Sequence, residues 1–142
     1  MIGVVVATHG DMADGIKSAA ILLTGQHDCF ATVGLREGVS PDAYLAQIKD
    51  AIDSVDQGDG VLAFVDLFGG TPSNSVCRLL GNDSVHAIAG VNLPMLLEAL
   101  MSRDVSSIDE LARTVCEVGA QGIVDLRRRL EETGCEDDEE EF

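Results

Sequence analysis

The feature that most constrains this chain is an apolar run that ends at a histidine. Residues 2–7 are apolar and largely β-branched, and Thr8, His9 and Gly10 follow directly. A run without polar alternation predicts a strand that is covered on both faces, as in a parallel sheet. In open α/β folds, ligands bind just past the carboxyl ends of such strands. His9 is therefore the first candidate for a functional residue, and a histidine that only caps a loop is the alternative.

A helix is predicted directly after His9. Asp11 can cap it and Gly25 can end it, and the apolar residues between them follow helical spacing: Met12, Ile16, Ala19, Ala20 and Leu23. The amino terminus of a helix offers unpaired N–H groups and a partial positive charge. An anion held at His9 would meet both.

Three more strand-helix units follow the first. Strands are predicted over residues 29–35, 61–65 and 85–89, and Pro41 and Pro94 mark the starts of two helices. The helix from Pro94 is almost wholly apolar, which predicts deep burial or a partner. Four β-α units joined by short links predict an α/β fold, a doubly wound three-layer sandwich with a mostly parallel sheet, in one domain over residues 1–130.

The end of this domain is less regular. Ser107 and Glu110 have the form of a capping box before a last amphipathic helix. The next segment, from Gly122 to Leu126, fits either a short edge or exchanged strand or further helix.

A glycine-rich turn follows the third strand. Asp66 ends the strand, and Gly69, Gly70, Thr71 and Pro72 come soon after. The paired glycines allow close backbone approach, and we expect Thr71 at the helix N-cap with Pro72 at the first helical position. The turn lacks the lysine of a P-loop and the spacing of a dinucleotide fingerprint. It predicts a phosphate cradle without a nucleotide.

His9 and Asp66 would lie side by side if the first and third strands are neighbours at the switch point of the sheet. A carboxylate bonded to one imidazole nitrogen fixes the tautomer and leaves the other nitrogen as a nucleophile for phosphoryl transfer. Backbone and hydroxyl donors would then bind the phosphoryl oxygens, from Gly10, Gly69, Gly70 and Thr71. The alternatives are that Asp66 only caps a loop and that the glycines only form a tight turn.

The charge of the chain argues against two classes of partner. The net charge is −16 and only two lysines, Lys17 and Lys49, are present. There is no basic footprint for nucleic acid or for anionic lipid. Residues 131–142 carry eight acids and no bases, which predicts a solvated, disordered tail.

Cysteine and histidine spacing does not suggest a metal site. The four cysteines are far apart, and no two of the three histidines share a ligand spacing. His27 and His86 are expected to be structural or surface residues. No secretory leader or membrane span is apparent, so we expect a soluble, cytoplasmic protein with reduced thiols.

Three strings of residues resemble one known family. Residues 7–10 (Ala-Thr-His-Gly), 65–74 (Val-Asp-Leu-Phe-Gly-Gly-Thr-Pro-Ser-Asn) and 89–96 (Ala-Gly-Val-Asn-Leu-Pro-Met-Leu) look like the enzyme IIA domain of the mannose-family sugar phosphotransferase system. The resemblance covers about residues 1–130, in the same order and at similar spacing. The acidic tail lies outside the pattern.

The resemblance implies a function that needs no cofactor. His9 would take a phosphoryl group from the phosphocarrier protein HPr and pass it to a histidine of a IIB component, here on a separate chain, with Asp66 orienting His9. Contact with the membrane would come only through the permease components. The implied fold is a parallel sheet of order 2-1-3-4, extended by an antiparallel strand exchanged within a homodimer, and the apolar helix from Pro94 fits such a partner.

Other interpretations stay open. The phosphohistidine could serve a stand-alone regulatory module, or the chain could be the related phosphotransfer subunit of a dihydroxyacetone-type kinase. A flavodoxin-like domain that binds a small molecule without phosphotransfer is a third alternative.

Overall fold

The fold alternates strands and helices. The computed structural model describes residues 1–134, which contain four strands and six helices. In chain order they are β1 (Gly3–His9), α1 (Met12–Thr24), β2 (Phe30–Leu35), α2 (Pro41–Val55), β3 (Val61–Val65), α3 (Gly70–Cys77), β4 (Val85–Ala89), α4 (Leu93–Ser102), α5 (Ile108–Gln121) and α6 (Leu126–Thr133). The strands are parallel in the order β2-β1-β3-β4. The predicted α/β fold and strand order are confirmed.

The two central strands set the position of the site. β1 pairs with β2 through His9 and Leu35, and with β3 through Ala7 and Val65. The residues that follow these pairs therefore lie at one edge of the sheet. The order of strands reverses between β1 and β3, and in open α/β sheets ligands bind at such a switch point.

Alternate residues of the sheet enter two separate cores. Val4 and Val6 face a cluster with residues of α1, α4 and α5, whereas Val5 and Ala7 face a cluster with residues of α2 and α3. This division follows from the two-residue period of a strand. Both faces of β1 are covered, which is why its sequence is apolar without alternation.

Several predicted boundaries need correction. β1 continues two residues past the predicted end, so that His9 is its last residue. Thr71 is not the N-cap of α3: Gly69 holds that position, and the helix begins at Gly70. The reason is the positive φ of both glycines, 96° for Gly69 and 80° for Gly70, which turns the chain into the helix earlier than a threonine could.

One side of the apolar helix α4 is buried within the same chain. Its buried residues, Met95, Leu96, Ala99 and Leu100, belong to the core shared with α1 and α5. Gly119 of α5 lets the Met95 side chain approach closely, since a Cβ there would lie 2.4 Å from the Met95 Cε. Burial thus accounts for one side of α4, while Met101 is 64% exposed, and a partner over the remaining side stays a prediction.

Two predictions concern the carboxyl-terminal part of the chain. Residues 123–125 belong to no helix or strand, and α6 begins at Leu126, so exchange of this segment between two copies stays a prediction. α6 crosses the predicted boundary of the acidic tail at residue 131, and residues 135–142 of that tail lie outside the described residues.

Among residues 1–134, every helix is too short or too polar to cross a bilayer.

Candidate active site

His9 stands at the carboxyl edge of the sheet with its ring accessible. The side chain is 48% exposed, whereas the Asp66 side chain beside it is only 8% exposed. His9 is the last residue of β1, and Asp66 follows β3 directly. The parallel pairing of these two strands brings the predicted pair together.

Three hydrogen bonds hold the Asp66 carboxylate. Its Oδ2 accepts from the His9 backbone N–H at 2.9 Å and lies 2.8 Å from the ring Nδ1. Its Oδ1 accepts from the backbone N–H of Leu67 at 2.9 Å. The carboxylate therefore binds both the main chain and the ring of His9, which fixes the orientation of the imidazole.

The ionisation of Asp66 assigns the tautomer of His9. Burial of the carboxyl group opposes its ionisation, but the hydrogen bonds from His9 and Leu67 outweigh burial, and the pKa of Asp66 lies below its usual value. Asp66 is thus charged at neutral pH and can only accept at Oδ2. Nδ1 of His9 carries the hydrogen, and Nε2 of the neutral ring holds the free lone pair.

Gly70 lies beside that free nitrogen. A Cβ added at Gly70 would be 3.4 Å from Nε2 of His9 and 3.2 Å from Cε1, and the φ of Gly70 is +80°. A side chain would therefore crowd the His9 ring and strain the backbone. The glycine leaves space for a group that approaches Nε2 from solvent.

The remaining predicted cradle residues are placed around this turn. Gly10 follows His9 with a φ of +54°, and Gly69 has open space around its Cα. Thr71 lies in the first turn of α3. Among Gly10, Gly69 and Gly70, an added Cβ would come within 4 Å of the His9 ring at Gly70 alone, and phosphate binding by any cradle residue stays a prediction.

Thr8 supports the site in a way that sequence reasoning missed. Asp11 occupies the N-cap position of α1 but makes no capping bond, and the buried Thr8 hydroxyl accepts from the Ala13 N–H at 2.9 Å instead. The same hydroxyl donates to the carbonyl of His9 at 3.1 Å. A threonine just before a predicted helix was a visible signal, because Ser and Thr are frequent caps.

Two long-range contacts also stabilise the carboxyl edge of the sheet, and no local sequence pattern predicts them. The buried Tyr44 hydroxyl donates to the Val33 carbonyl at 2.8 Å, and burial, together with the charge of Asp66, raises its pKa. Arg36, just after β2, pairs with Asp11 and lies 3.6 Å from Asp14. Both contacts tie helices to the strand ends that carry the site.

The other two histidines lie elsewhere. Nε2 of His27 is 2.7 Å from the hydroxyl of Thr24, at the end of α1. Nε2 of His86, on β4, is 3.1 Å from Asp109 of α5. Neither neighbours the turn from Asp66 to Gly70.

Known proteins are similar to this chain in sequence and fold. A family model described as the PTS system fructose IIA component (EIIA-man) matches residues 3–116. The PTS system mannose-specific EIIAB component of Escherichia coli (strain K12) is 32% identical over 130 residues, which are 90% of this chain and 40% of that protein. The chain therefore spans less than half of that relative. The PTS system fructose-specific EIIA component of Bacillus subtilis (strain 168) is 28% identical over 132 residues, 92% of this chain and 90% of that protein.

Solved structures agree with these matches. The phosphotransferase system component EIIA from Streptococcus agalactiae superposes with a TM-score of 0.83 at 28% identity, covering 90% of this chain and 99% of that chain. The mannose/sorbose specific IIA subunit from Enterococcus faecalis gives a TM-score of 0.80 at 25% identity, and the match covers 87% of this chain and 93% of that chain.

Proposed function

The chain belongs to the EIIA-man family of sugar phosphotransferase system IIA components, and from this we propose that it is a phosphocarrier that bears the phosphoryl group on Nε2 of His9. The donor is phospho-HPr, and the acceptor is a histidine of a IIB component on a separate chain. The protein acts in the cytoplasm during phosphoenolpyruvate-dependent sugar uptake and meets the membrane only through the permease components.

One observation supports this proposal above all others. Nδ1 of His9 lies 2.8 Å from the Asp66 carboxylate, while the ring is half exposed. The lone pair of Nε2 attacks phosphorus, a new N–P bond forms, and the P–N bond of the donor breaks with its electron pair returning to the donor imidazole. The His9 ring becomes positively charged, and Asp66 stabilises that charge through Nδ1–H.

The turn around His9 supports a second part of the proposal, the binding of the phosphoryl oxygens. Phosphoryl transfer depends mainly on positioning and on stabilising the charge of the phosphoryl oxygens. We assign this role to the backbone of Gly10, Gly69 and Gly70 and to the hydroxyl of Thr71, at the start of α3. The lack of a side chain at Gly70, where a Cβ would lie 3.4 Å from Nε2 of His9, favours this arrangement.

The test is the intact mass of the full chain after incubation with phosphoenolpyruvate, enzyme I and HPr. We expect one acid-labile phosphate on the wild type and none on His9→Ala. His86→Ala is the matched control, since His86 also pairs with an aspartate but lies on β4. Phosphate on His9→Ala would contradict the assignment, and rapid loss of phosphate to a IIB component would exclude a purely regulatory module.

We also propose that two copies associate through the segment before α6. Ile123, Val124 and Leu126 are exposed large apolar residues, and the edge of β4 away from β3 has no neighbouring strand among residues 1–134. An antiparallel strand from a second copy would cover both. Sedimentation of the wild type should show a dimer and Ile123→Asp a monomer, and a monomeric wild type would contradict this arrangement.

A further inference from the structure

Four apolar side chains are exposed at the ends of α1 and α4. On α1, Leu22 is 87% exposed and Leu23 is 60% exposed. Met101, in the last turn of α4, is 64% exposed, and Val105, just past that helix, is 86% exposed. None of the four belongs to either core cluster. We call these residues the distal patch, because exposed apolar patches mark surfaces that bind a partner.

The distal patch follows the contact between α1 and α4. Ile16 of α1 and Leu97 of α4 both pack against the core cluster that these helices share. Leu23 lies about two helical turns beyond Ile16, on the same face of α1. Met101 lies about one turn beyond Leu97, on the same face of α4. Leu23 and Met101 therefore extend the contact between the two helices outward.

A buried arginine joins the ends of these two helices. Arg103, the C-cap of α4, donates to the carbonyl of Asp28 at 2.6 Å and to that of Cys29 at 3.0 Å. The helix α1 ends at Thr24, shortly before Asp28. The ends of α1 and α4 are thus next to each other, and the residues of the distal patch form one surface.

This surface lies at the opposite edge of the sheet from His9. Arg103 also donates to the carbonyl of Ile2 at 3.3 Å. Ile2 directly precedes β1, and His9 is the last residue of that strand. A strand rises about 3.3 Å per residue, so Ile2 and His9 are about 23 Å apart. A standard interface has a radius of about 16 Å, and a partner centred on the distal patch therefore leaves the His9 ring uncovered.

The carboxylates beside the patch indicate the chemistry of its partner. Asp28 and Asp104 are exposed, and within residues 1–134 the side chain of neither forms an ion pair or a hydrogen bond. The charge of Arg103 acts on both, but its two Nη groups donate to main-chain carbonyls. A partner that brings cations to these carboxylates is complementary to the surface.

Two other occupants are less compatible with these charges. In a symmetric pair of copies the same surfaces face each other, which would bring Asp28 and Asp104 of both copies together. Like charges that face each other across an interface weaken binding. An anionic lipid surface would repel a chain whose net charge is −16.

We propose that the distal patch docks another protein through an amphipathic helix, with leucine-like side chains on one face and lysine or arginine beside that face. The patch crosses the ends of two neighbouring helices, and an apolar helix face that lies between such elements is a recurring mode of recognition. The partner binds without competing for the His9 ring, because the two surfaces lie at opposite edges of the sheet.

The test uses a synthetic peptide of leucine and lysine, about five helical turns long, with its leucines at helical spacing. Fluorescence anisotropy measures its Kd for the full chain, and amide chemical shifts of the isotope-labelled chain locate it. A scrambled peptide of the same composition, which has no apolar face, is the first control. The variants are Val105→Ser and Asp104→Asn. Phe68→Ser is the matched control, since Phe68 is also 86% exposed but lies in the turn beside His9.

We expect the peptide to shift the amides at the end of α1 and around Val105, and to bind more tightly than the scrambled control. Val105→Ser should raise its Kd about fivefold. Asp104→Asn should raise the Kd about twofold at low salt and have little effect at high salt. Phe68→Ser should leave the Kd unchanged. Because Val105 and Phe68 are so exposed, neither substitution should affect folding.

Three results would overturn the inference. Equal binding of the peptide and its scrambled control would show that charge alone attracts it. Shifted amides around His9, or equal weakening by Phe68→Ser and Val105→Ser, would place the peptide elsewhere. A wild-type dimer that Val105→Ser dissociates would assign the distal patch to a second copy of this chain.

Discussion

Replacing Asp66 by asparagine tests the central pair of the site. Three N–H donors surround the Asp66 carboxylate: the backbone of His9, Nδ1 of its ring, and the backbone of Leu67. An amide has only one oxygen, so its NH₂ group must face at least one of these donors. If the NH₂ faces Leu67, the Leu67 N–H loses its acceptor. If it faces His9, Nδ1 must become the acceptor, and the hydrogen moves to Nε2, which is then no nucleophile.

The size of the effect follows from the geometry. Two unit charges about 4 Å apart interact by about 4 kcal/mol at an effective dielectric constant of about 20. The His9 ring is 48% exposed, and solvent should remove about half of this energy, leaving about 2 kcal/mol. That energy corresponds to about a thirtyfold slower phosphoryl uptake, before any loss from the wrong tautomer. The lost hydrogen bond should also lower the free energy of unfolding by about 0.5–1.5 kcal/mol.

Rapid-quench intact mass spectrometry with phospho-HPr would measure the rate of uptake, and urea unfolding would measure stability. The control is Asp109→Asn, which alters the other aspartate-histidine pair, 3.1 Å apart on the far side of β3. It should leave uptake unchanged. A wild-type rate in Asp66→Asn would refute the reasoning, because it would show that Asp66 neither selects the tautomer nor stabilises the charged ring.

Three further predictions follow from the same contacts. Gly70→Ala should slow phosphoryl uptake at least tenfold, because its Cβ would lie 3.4 Å from Nε2 of His9; rapid-quench intact mass spectrometry would measure the rate. Thr8→Val should lower the free energy of unfolding by about 1–2 kcal/mol, because the Ala13 N–H loses its acceptor; urea titration would show it. Because folding lowers the pKa of Asp66, its stabilisation is complete above the unfolded value near 4 and disappears as the pH falls through the folded value; urea unfolding between pH 7 and pH 3 would detect this loss.

Each of these predictions has a matched control. Gly38→Ala carries the same left-handed strain, with a φ of +84°, but meets open space, and should leave uptake unchanged. Thr114→Val removes an exposed hydroxyl that bonds only within α5, and should leave stability unchanged. Asp66→Asn should lose less stability than the wild type on acidification. Equal behaviour of test and control in any of these pairs would contradict the corresponding argument.

Much of the fold could be predicted because its signals are local. Buried parallel strands are apolar without alternation, and the run from Val61 to Val65 was recognised with its bounds. The capping box at Ser107 was recognised because its two reciprocal bonds join residues three apart in sequence. The start of α3 is not predicted correctly from the sequence. The φ values of Gly69 and Gly70 depend on how the turn packs beside His9 and not on which residues form it.

The sequence by itself determined the class of fold and the candidate residues, since apolar runs, glycine pairs and caps act within a few residues. Only the tertiary structure decided what those residues do together. It brought Asp66 within 2.8 Å of Nδ1 and so freed Nε2, it gave the capping of α1 to Thr8 instead of Asp11, and it buried one side of α4 within the chain. These outcomes depend on contacts between segments far apart in sequence, which form only when the whole sheet and its helices are assembled.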